Sequence, residues 1–254
     1  MKTDAYTALA AWYDRLNDDL DYNTWADFLI ACFARCGASP RLVLDMACGT
    51  GSMTLALARR GMEMIGADLS AEMLSEAKNR AMEAGRDILF VCQDMCALDL
   101  YGTVDAVVCC LDSVNYLTSS AQLKACFAGV ARYLNEGGVF VFDVNTPYKF
   151  HHIYGDRDYI LEADGVLCAW QNDFNAKTGL CHFDLSLFIE GKDGRYRRCD
   201  ERQTERCWAK RTLIGAIREA GLELEGIYGG YDFAPASDED ERWYFVCRKK
   251  LQKN

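Results

Sequence analysis

One short segment constrains the fold of this chain more than any other, because an apolar run there ends in an acidic residue and two glycines. Residues 43–51 read Val-Leu-Asp-Met-Ala-Cys-Gly-Thr-Gly, and residues 52–60 behind them have apolar side chains at helical spacing. This order is typical of a strand that enters a tight turn and then a helix. Glycines let such a turn approach a ligand closely, and free N–H groups at the helix start bind polar or anionic groups. The segment therefore predicts a site for a nucleotide-type ligand.

Strand and helix patterns alternate along the first part of the chain. We predict strands over residues 42–46, 62–67, 88–93, 104–110 and 139–144, and helices over residues 52–60, 71–84 and 119–134. A further helix over residues 210–220 and two closing strands, near residues 222–230 and 242–248, restore the pattern at the end of the chain. Continuous apolar strands that alternate with helices indicate a mostly parallel sheet covered on both faces. We expect an α/β fold with a Rossmann-like, seven-stranded sheet.

A different pattern interrupts this alternation. Residues 157–207 alternate polar and apolar side chains and contain turn signals, which is typical of antiparallel hairpins with one solvated face. The sequence thus predicts three parts: a helical N-terminal lid over residues 1–36, a core over residues 37–149 and 209–254, and an inserted antiparallel β subdomain over residues 150–208.

Charge and composition disfavour several classes of partner. The 254 residues include 28 basic and 38 acidic side chains, for a net charge of −10, which argues against general binding to nucleic acids or anionic membranes. No apolar run approaches the roughly 20 residues of a membrane helix, and the first residues lack the apolar stretch of a signal peptide. We therefore expect a cytoplasmic protein whose 13 cysteines are mostly thiols. Without a C-x2-C pair, we predict no metal site.

Acidic residues at the ends of successive strands indicate which cofactor binds. Asp45 precedes the glycine turn, where a carboxylate suits a positive amino group and would repel a pyrophosphate. Asp68 ends the second strand and can accept hydrogen bonds from both hydroxyls of a ribose. Asp94 ends the third strand and can accept from the exocyclic amine of adenine, while Met95 packs on the ring. Asp112 follows the fourth strand, so that four acids mark the edge where α/β sheets bind ligands.

The third position of the glycine motif separates two cofactor classes. A dinucleotide fingerprint needs a small residue there for helix–strand packing, whereas this chain has Thr54. Together with Asp45, this residue favours S-adenosylmethionine (SAM) over NAD. A nicotinamide-dependent oxidoreductase and a non-catalytic SAM-binding or partner-binding protein are the alternatives.

These motifs resemble those of the class I SAM-dependent methyltransferases, and the resemblance covers nearly the whole chain. It is carried by residues 45–51, 68–70, 93–95 and 111–116. Residues 13–16 and 22–27 are similar to the start of a bacterial subgroup of small-molecule enzymes with a helical N-terminal lid. The inserted antiparallel sheet is similar to that of sugar N-methyltransferases and glycine N-methyltransferase-like proteins.

The resemblance implies an enzyme that transfers a methyl group from SAM to a nitrogen or oxygen of a small-molecule acceptor, as a monomer or a homodimer. The residues expected to bind the cofactor are Tyr13, Asp45, Ala47, Gly49, Gly51, Asp68, Leu69, Asp94, Met95 and Leu111. Asp45, Gly49 and Gly51 would surround the methionine end, and Leu111 would form part of the wall. Tyr13 would approach the sulfonium or the carboxylate from the lid.

No residue is assigned as a general base. The insertion leaves the sheet at the edge where the cofactor is expected, so we expect it to cover the acceptor. Residues 195–211 carry seven basic side chains against three acids. One interpretation is a solvated strand face. The other is that Arg206, near Trp208, pairs with a carboxylate or phosphate of the acceptor.

Overall fold

The computed structural model describes residues 12, 16, 20–155 and 157–250. Its strands are β1 (Leu42–Met46), β2 (Glu63–Asp68), β3 (Leu89–Cys92), β4 (Val104–Cys109), β5 (Leu134–Asn145), β6 (Asp158–Ala163), β7 (Val166–Asn175), β8 (Leu180–Glu190), β9 (Tyr196–Arg206), β10 (Leu222–Tyr228) and β11 (Arg242–Lys249). Its α-helices are α1 (Tyr22–Arg35), α2 (Ser52–Arg59), α3 (Ala71–Glu83), α4 (Ser120–Tyr133) and α5 (Lys210–Glu219). A 3₁₀ turn covers Ser113–Tyr116, and a π-helical turn covers Lys149–Tyr154.

Two helices begin at side-chain caps. The Ser70 hydroxyl accepts a hydrogen bond from the Met73 N–H at 3.1 Å, at the start of α3. Ser119 and Gln122 form a reciprocal capping box at the start of α4. Both helices follow a loop at the carboxyl edge of the sheet, so these caps help to fix where the loops end.

The larger sheet has the strand order β10-β11-β5-β4-β1-β2-β3. Strands β1 to β5 are parallel, and β11 lies antiparallel between β5 and β10. Strand order reverses at β1, which pairs with β2 on one side and with β4 on the other. Such a reversal opens a crevice above the carboxyl ends of the strands, where open α/β sheets bind ligands. This architecture confirms the predicted fold class.

Strand β5 differs from its prediction, because it starts at Leu134 and includes both Gly137 and Gly138. Its pairing with β4 shifts register at this point. A Cβ on Gly138 would lie only 2.8 Å from the Asp105 carbonyl oxygen, so glycine lets the two backbones approach. The sequence alone shows two adjacent glycines, which are as typical of a turn as of such a strand.

The second sheet is antiparallel, has the order β6-β7-β8-β9, and lies in the chain between β5 and α5. It confirms the predicted hairpins. Part of its inner face packs against Phe150 and Tyr154 of the π-helical turn. Another part packs against Trp12 and Leu16 near the N-terminus. The sheet is thereby held next to the carboxyl edge of the larger sheet. No helix in the described part of the chain is long and apolar enough to cross a membrane.

Candidate cofactor and acceptor site

A cavity of about 760 Å³ lies over the carboxyl ends of β1 to β4. Eight of the ten residues expected to bind the cofactor line it, and these are Asp45, Ala47, Gly49, Asp68, Leu69, Asp94, Met95 and Leu111. The structure therefore brings together residues that are up to 66 positions apart, from Asp45 to Leu111. Their contact with a cofactor stays a prediction. Tyr13 lies outside the described residues.

Gly51 does not belong to the cavity wall. Its backbone is left-handed, with φ at +77°, and a Cβ there would lie 3.1 Å from the Ala77 Cβ and 3.6 Å from Phe90. A side chain at this position would thus meet α3. The glycine is required by the conformation of the turn and by the close approach of α3.

Asp45 is buried at the end of β1, and Thr54 holds its carboxylate in place. The Thr54 hydroxyl donates to Asp45 Oδ2 at 2.5 Å from the first turn of α2. Burial raises the pKa of Asp45 to about 7, since the hydrogen bond from Thr54 only partly offsets the desolvation of the charged form. From the sequence alone, Thr54 served only as evidence against a dinucleotide cofactor. The structure shows why a hydroxyl residue fits there.

Asp68 joins the end of β2 to the glycine turn. Its Oδ2 accepts a hydrogen bond from the Gly49 N–H at 2.8 Å, and its Oδ1 accepts one from the Ser70 N–H at 2.8 Å. Burial raises the pKa of this carboxyl group, while these N–H donors lower it. The side chain is therefore fixed in the cavity wall by backbone N–H donors.

Two wall residues other than glycine have strained backbones. Ala47, after β1, has φ at 59°, and Leu111, after β4, has φ at 57°. The next residue, Asp112, also has a positive φ of 50°. Each left-handed residue with a Cβ costs roughly 1–2 kcal/mol. Such outliers cluster at functional sites, where the surrounding structure holds them.

The charge of the wall favours a cationic ligand. Its titratable carboxyl side chains belong to Asp45, Asp68, Glu72 and Asp94, and among the described residues that line it there is no lysine, arginine or histidine. A dinucleotide pyrophosphate would meet carboxylates with no basic partner. An ammonium, a ribose diol and an adenine amine are all donors or cations that carboxylates accept.

Next to the end of the cavity near β4, an arginine pairs with two carboxylates. Leu111, Ser113 and Tyr116 line this end, and Asp112 lies between them in the chain. Arg242, at the start of β11, donates from Nη2 to Asp112 Oδ1 at 2.7 Å and from Nη1 to Asp143 Oδ2. The two carboxylates raise the pKa of Arg242 well above its usual range. This buried ion-pair network closes the edge between β4, β5 and β11.

The inserted sheet contacts this end through polar side chains of β9. The Tyr116 hydroxyl donates to Gln203 Oε1 at 2.8 Å, and Asn145 Nδ2 donates to Glu205 Oε2 at 3.2 Å. Glu205 is buried, and desolvation together with the nearby charge of Asp112 raises the pKa of its carboxyl group well above the usual range. Sequence reasoning missed these residues, since an alternating strand pattern does not show which strand meets which edge.

The basic residues of β9 do not line the cavity. Arg202 pairs with Asp184 at 2.6 Å, and Arg198 pairs with Asp200 at 2.8 Å, on the exposed face of the sheet. Arg206 donates to the backbone carbonyls of Thr118 at 2.5 Å and Thr178 at 3.2 Å. The guanidinium of Arg206 thus holds the insertion to the core, and the interpretation of a solvated strand face fits its neighbours better than an acceptor-binding role.

All 13 cysteines are free thiols. Burial raises the pKa of several of them, such as Cys32 to about 12 and Cys168 to about 11. In the described residues there is no group of three or more His, Cys, Asp or Glu side chains placed to hold a metal ion.

A Rossmann-like sheet with an antiparallel β11, together with an acid-lined cavity at its carboxyl edge, defines a class of enzymes that bind a cationic nucleoside cofactor. Residues 43–138 match the family described as a methyltransferase domain. A putative methyltransferase of Geobacillus sp. (strain WCH70) is 30% identical over 247 residues, covering 96% of this chain and 99% of that protein.

Two further similarities agree with this match. A glycine/sarcosine N-methyltransferase of Halorhodospira halochloris is 31% identical over 211 residues, 75% of this chain and 77% of that protein. The crystal structure of a SAM-dependent methyltransferase from Clostridium acetobutylicum ATCC 824 superposes with a TM-score of 0.87 at 32% identity, over 97% of this chain and 99% of the other. The chain belongs to the class I SAM-dependent methyltransferases, and its cofactor is SAM.

Proposed function

We propose that this enzyme methylates a nitrogen or oxygen of a small molecule at the end of the cavity formed by Leu111, Ser113 and Tyr116. The observation that carries the proposal is the order of the wall residues along the sheet. Met95 follows β3, Asp68 ends β2 and Asp45 lies in β1, so that positions for adenine, ribose and methionine succeed one another toward β4. The methyl group would then lie beside β4.

The residues of the wall fit each part of SAM. Asp45 offers a buried carboxylate to the cationic amino group, and Asp68 offers a carboxylate fixed in the wall to the ribose hydroxyls. SAM supplies an activated methyl group when it is bound. The residues of this chain then act chiefly by orienting the acceptor and by excluding water.

The surroundings of the β4 end favour a small acceptor. The inserted sheet reaches the core there, where Gln203 binds Tyr116 and Arg206 binds the Thr118 carbonyl. The cavity of about 760 Å³ has a size in the range of small-molecule sites. The Halorhodospira relative is a glycine/sarcosine N-methyltransferase, which supports a nitrogen acceptor.

The assembly and the compartment are further parts of this proposal. We expect a monomer or a homodimer, which sedimentation equilibrium distinguishes. The 13 free thiols favour a reducing compartment such as the cytoplasm. Fewer than 13 free thiols in the unfolded chain, titrated after isolation without added reductant, would contradict this part.

Calorimetry with four ligands tests the cofactor half of the proposal. We expect SAM and S-adenosylhomocysteine to bind, and NAD and NADP to give no heat, because the wall has acids and no base to hold a pyrophosphate. A screen of amines, sugars, hydroxy-aromatics and carboxylates, read as S-adenosylhomocysteine released, then tests the acceptor half. SAM binding without turnover of any small acceptor would contradict the small-molecule assignment.

A further inference from the structure

The hydroxyl group of Tyr116 lies where the cavity meets the inserted sheet. The side chain lines the β4 end of the cavity, and its hydroxyl donates a hydrogen bond to Gln203 Oε1 of β9 at 2.8 Å. With its proton engaged in this way, the hydroxyl can offer a ligand only the lone pairs of its oxygen. The cavity therefore presents a hydrogen-bond acceptor at this end.

Asn115 fixes the 3₁₀ turn that carries Tyr116. Its side chain is fully buried, and its Nδ2 donates to the Arg206 carbonyl oxygen at 2.9 Å. Its Oδ1 accepts a hydrogen bond from the Asn145 N–H at 3.0 Å. These bonds tie the turn to β9 and to β5 at the same time. Tyr116 is thus held in one place beside β4, as a residue that positions a substrate must be.

The amide group of Gln203 is buried with only one of its two polar atoms paired. The residue is 7% exposed, its Oε1 accepts the bond from Tyr116, and its Nε2 has no hydrogen-bond partner among the described residues. A buried unpaired amide is unfavourable, and such an exception in a native protein calls for a reason. Orientation of the Tyr116 hydroxyl supplies one, because an apolar side chain at position 203 would let that proton turn toward the cavity.

The surroundings of the Tyr116–Gln203 pair are acidic. Glu201 and Glu205 flank Gln203 at two-residue spacing on the same face of β9, and both are buried. The cavity wall adds further carboxyl groups, and among its described residues there is no lysine, arginine or histidine. Such surroundings stabilise a positive charge on a ligand and disfavour a negative one.

The described residues at the β4 end of the cavity include no general base. Cys110, Leu111, Ser113 and Tyr116 line this end. Burial raises the pKa of the Cys110 thiol well above its usual range, and the Ser113 hydroxyl donates to the Cys110 carbonyl oxygen at 2.8 Å. A base assists methylation of a hydroxyl group, whereas a neutral amine reacts through its own lone pair. The wall therefore favours a nitrogen acceptor over an oxygen acceptor.

We propose that the acceptor is a primary or secondary amine whose N–H donates to the Tyr116 oxygen, and that Gln203 is the positioning residue that sets the direction of this hydroxyl. This inference rests on the proposed function and narrows its acceptor. The nitrogen lone pair forms the new N–C bond, the electron pair of the breaking C–S bond stays on sulfur, and the positive charge moves from sulfur to nitrogen. The N–H···O bond strengthens as this charge grows. The product loses its extra proton to water after release.

The first test observes the Tyr116 hydroxyl directly and needs no turnover. Enzyme labelled with ¹³C at the tyrosine Cζ is saturated with S-adenosylhomocysteine, and the signal missing in Tyr116→Phe is assigned to Tyr116. Ethylamine, ethanol and acetate serve as two-carbon probes that differ in their polar group. We expect ethylamine to shift the Tyr116 signal at a lower concentration than ethanol, and acetate to leave it unchanged. No shift with ethylamine, or a shift with either other probe at the same or a lower concentration, would overturn the proposal.

The second test separates the contact from its orientation, with the amine that the screen shows to be turned over best. Tyr116→Phe should lower kcat/KM about 10- to 100-fold and leave SAM affinity unchanged. Gln203→Met should lower kcat/KM about 3- to 10-fold, whereas Gln203→Glu, which keeps an oxygen for the Tyr116 proton, should recover most of the rate. Tyr159→Phe is the control, since it removes a hydroxyl that donates to the Ile153 carbonyl at 2.5 Å and does not line the cavity.

Other outcomes contradict the assignment. Unchanged kcat/KM in Tyr116→Phe would remove the hydroxyl from acceptor binding, and equal losses in Gln203→Met and Gln203→Glu would remove the orienting role. A loss that Tyr159→Phe shares would assign the effect to packing of the insertion. Turnover of hydroxy-aromatics without turnover of any amine would overturn the inference and leave the proposed function standing. If no small molecule is turned over, the proposed function fails, and the Tyr116 signal still decides the inference.

Discussion

The two halves of the carboxyl edge are built in different ways. At β1 to β3 the cavity wall consists of short segments that each follow one strand. The Gly49 N–H of the glycine turn donates to Asp68 at the end of β2, and the Ser70 N–H holds the other oxygen of this carboxylate. At β4 and β5 the edge is closed by side chains from distant parts of the chain. Arg242 reaches Asp112, 130 positions away, and Asn145 reaches Glu205, 60 positions away.

This difference bears on which half of the edge determines the cofactor and which half determines the acceptor. The cofactor half uses the backbone turns and carboxylates that follow neighbouring strands, at the edge where open α/β sheets bind ligands. The acceptor half depends on how one inserted sheet and one antiparallel strand meet the edge. We therefore expect the first half to fix the cofactor and the second to fix the acceptor. The predictions below test that division.

The largest expected effect is on stability, at the ion-pair network of the acceptor half. Arg242→Met should lower the free energy of unfolding by roughly 3–5 kcal/mol, because Asp143 and Asp112 would keep buried charges without a partner. Urea unfolding measures the change. Arg41→Met is the control, since its pair with Glu63 is exposed and such pairs contribute about 0–1 kcal/mol. Equal effects of the two substitutions would contradict a structural role for the network.

Asp68→Ala should act on the cofactor half and reduce SAM affinity at least tenfold. Each charge-assisted hydrogen bond to a ribose hydroxyl contributes about 1.5–3 kcal/mol, and about 1.4 kcal/mol corresponds to a factor of ten. Calorimetry with SAM measures the change, and circular dichroism shows whether the fold is kept. Asp184→Ala, on the exposed face of the insertion, is the matched control. Normal SAM affinity in a folded Asp68→Ala protein would refute the ribose assignment.

A comparison of Gly51→Ala with Gly85→Ala tests whether the glycine turn after β1 needs Gly51 for its packing against α3. Both glycines have a positive φ, so each substitution costs roughly 1–2 kcal/mol of backbone strain. Only at Gly51 would the new Cβ also lie 3.1 Å from Ala77. We expect Gly51→Ala to lower the free energy of unfolding by about 1 kcal/mol more than Gly85→Ala does, and to weaken SAM binding by moving the turn. Thermal unfolding of both variants gives the comparison, and identical melting temperatures would contradict it.

The smallest effect is the pH dependence of SAM binding through Asp45. Its folded pKa of about 7 lies above the unfolded value of 3.8, so the folded apo state binds the proton more tightly between these values. The contribution of Asp45 to stability is therefore present below about pH 4 and is lost as the pH rises to about 7. The ionised form suits a cationic amino group, so SAM affinity should rise a few-fold from pH 6 to 8. Asp45→Asn should flatten the profile in calorimetry, and an unchanged slope would contradict the contact.

The sequence predicts the fold, and it also predicts which residues meet at the cavity over β1 to β4, for a physical reason. Local signals such as the apolar run 43–46, the Ser70 cap and Asp68 at a strand end act over a few residues. The edge of a parallel sheet then brings them together. Gly51 shows the limit, because the sequence does not reveal that a Cβ at this position would lie 3.1 Å from Ala77 of α3.

The acceptor half could not be predicted, because its contacts depend on tertiary packing. The basic run on β9 suggested an arginine aimed at the acceptor, yet Arg206 donates to one backbone carbonyl of the core, Thr118, and to one of the insertion, Thr178. Nothing local distinguishes Glu205 or Arg242 from other strand residues. Their roles follow from the antiparallel position of β11 and from the place where β9 meets the edge.

A crystal structure of the enzyme with SAM tests the division of the edge most directly. We expect adenine on Met95, the ribose hydroxyls on Asp68, the amino group at Asp45 and the methyl group directed toward Leu111 and Tyr116. A reversed cofactor, with adenine at the β4 end, would contradict it. So would SAM bound away from this cavity, for instance in the groove that Glu162 and Tyr196 line on the inserted hairpins.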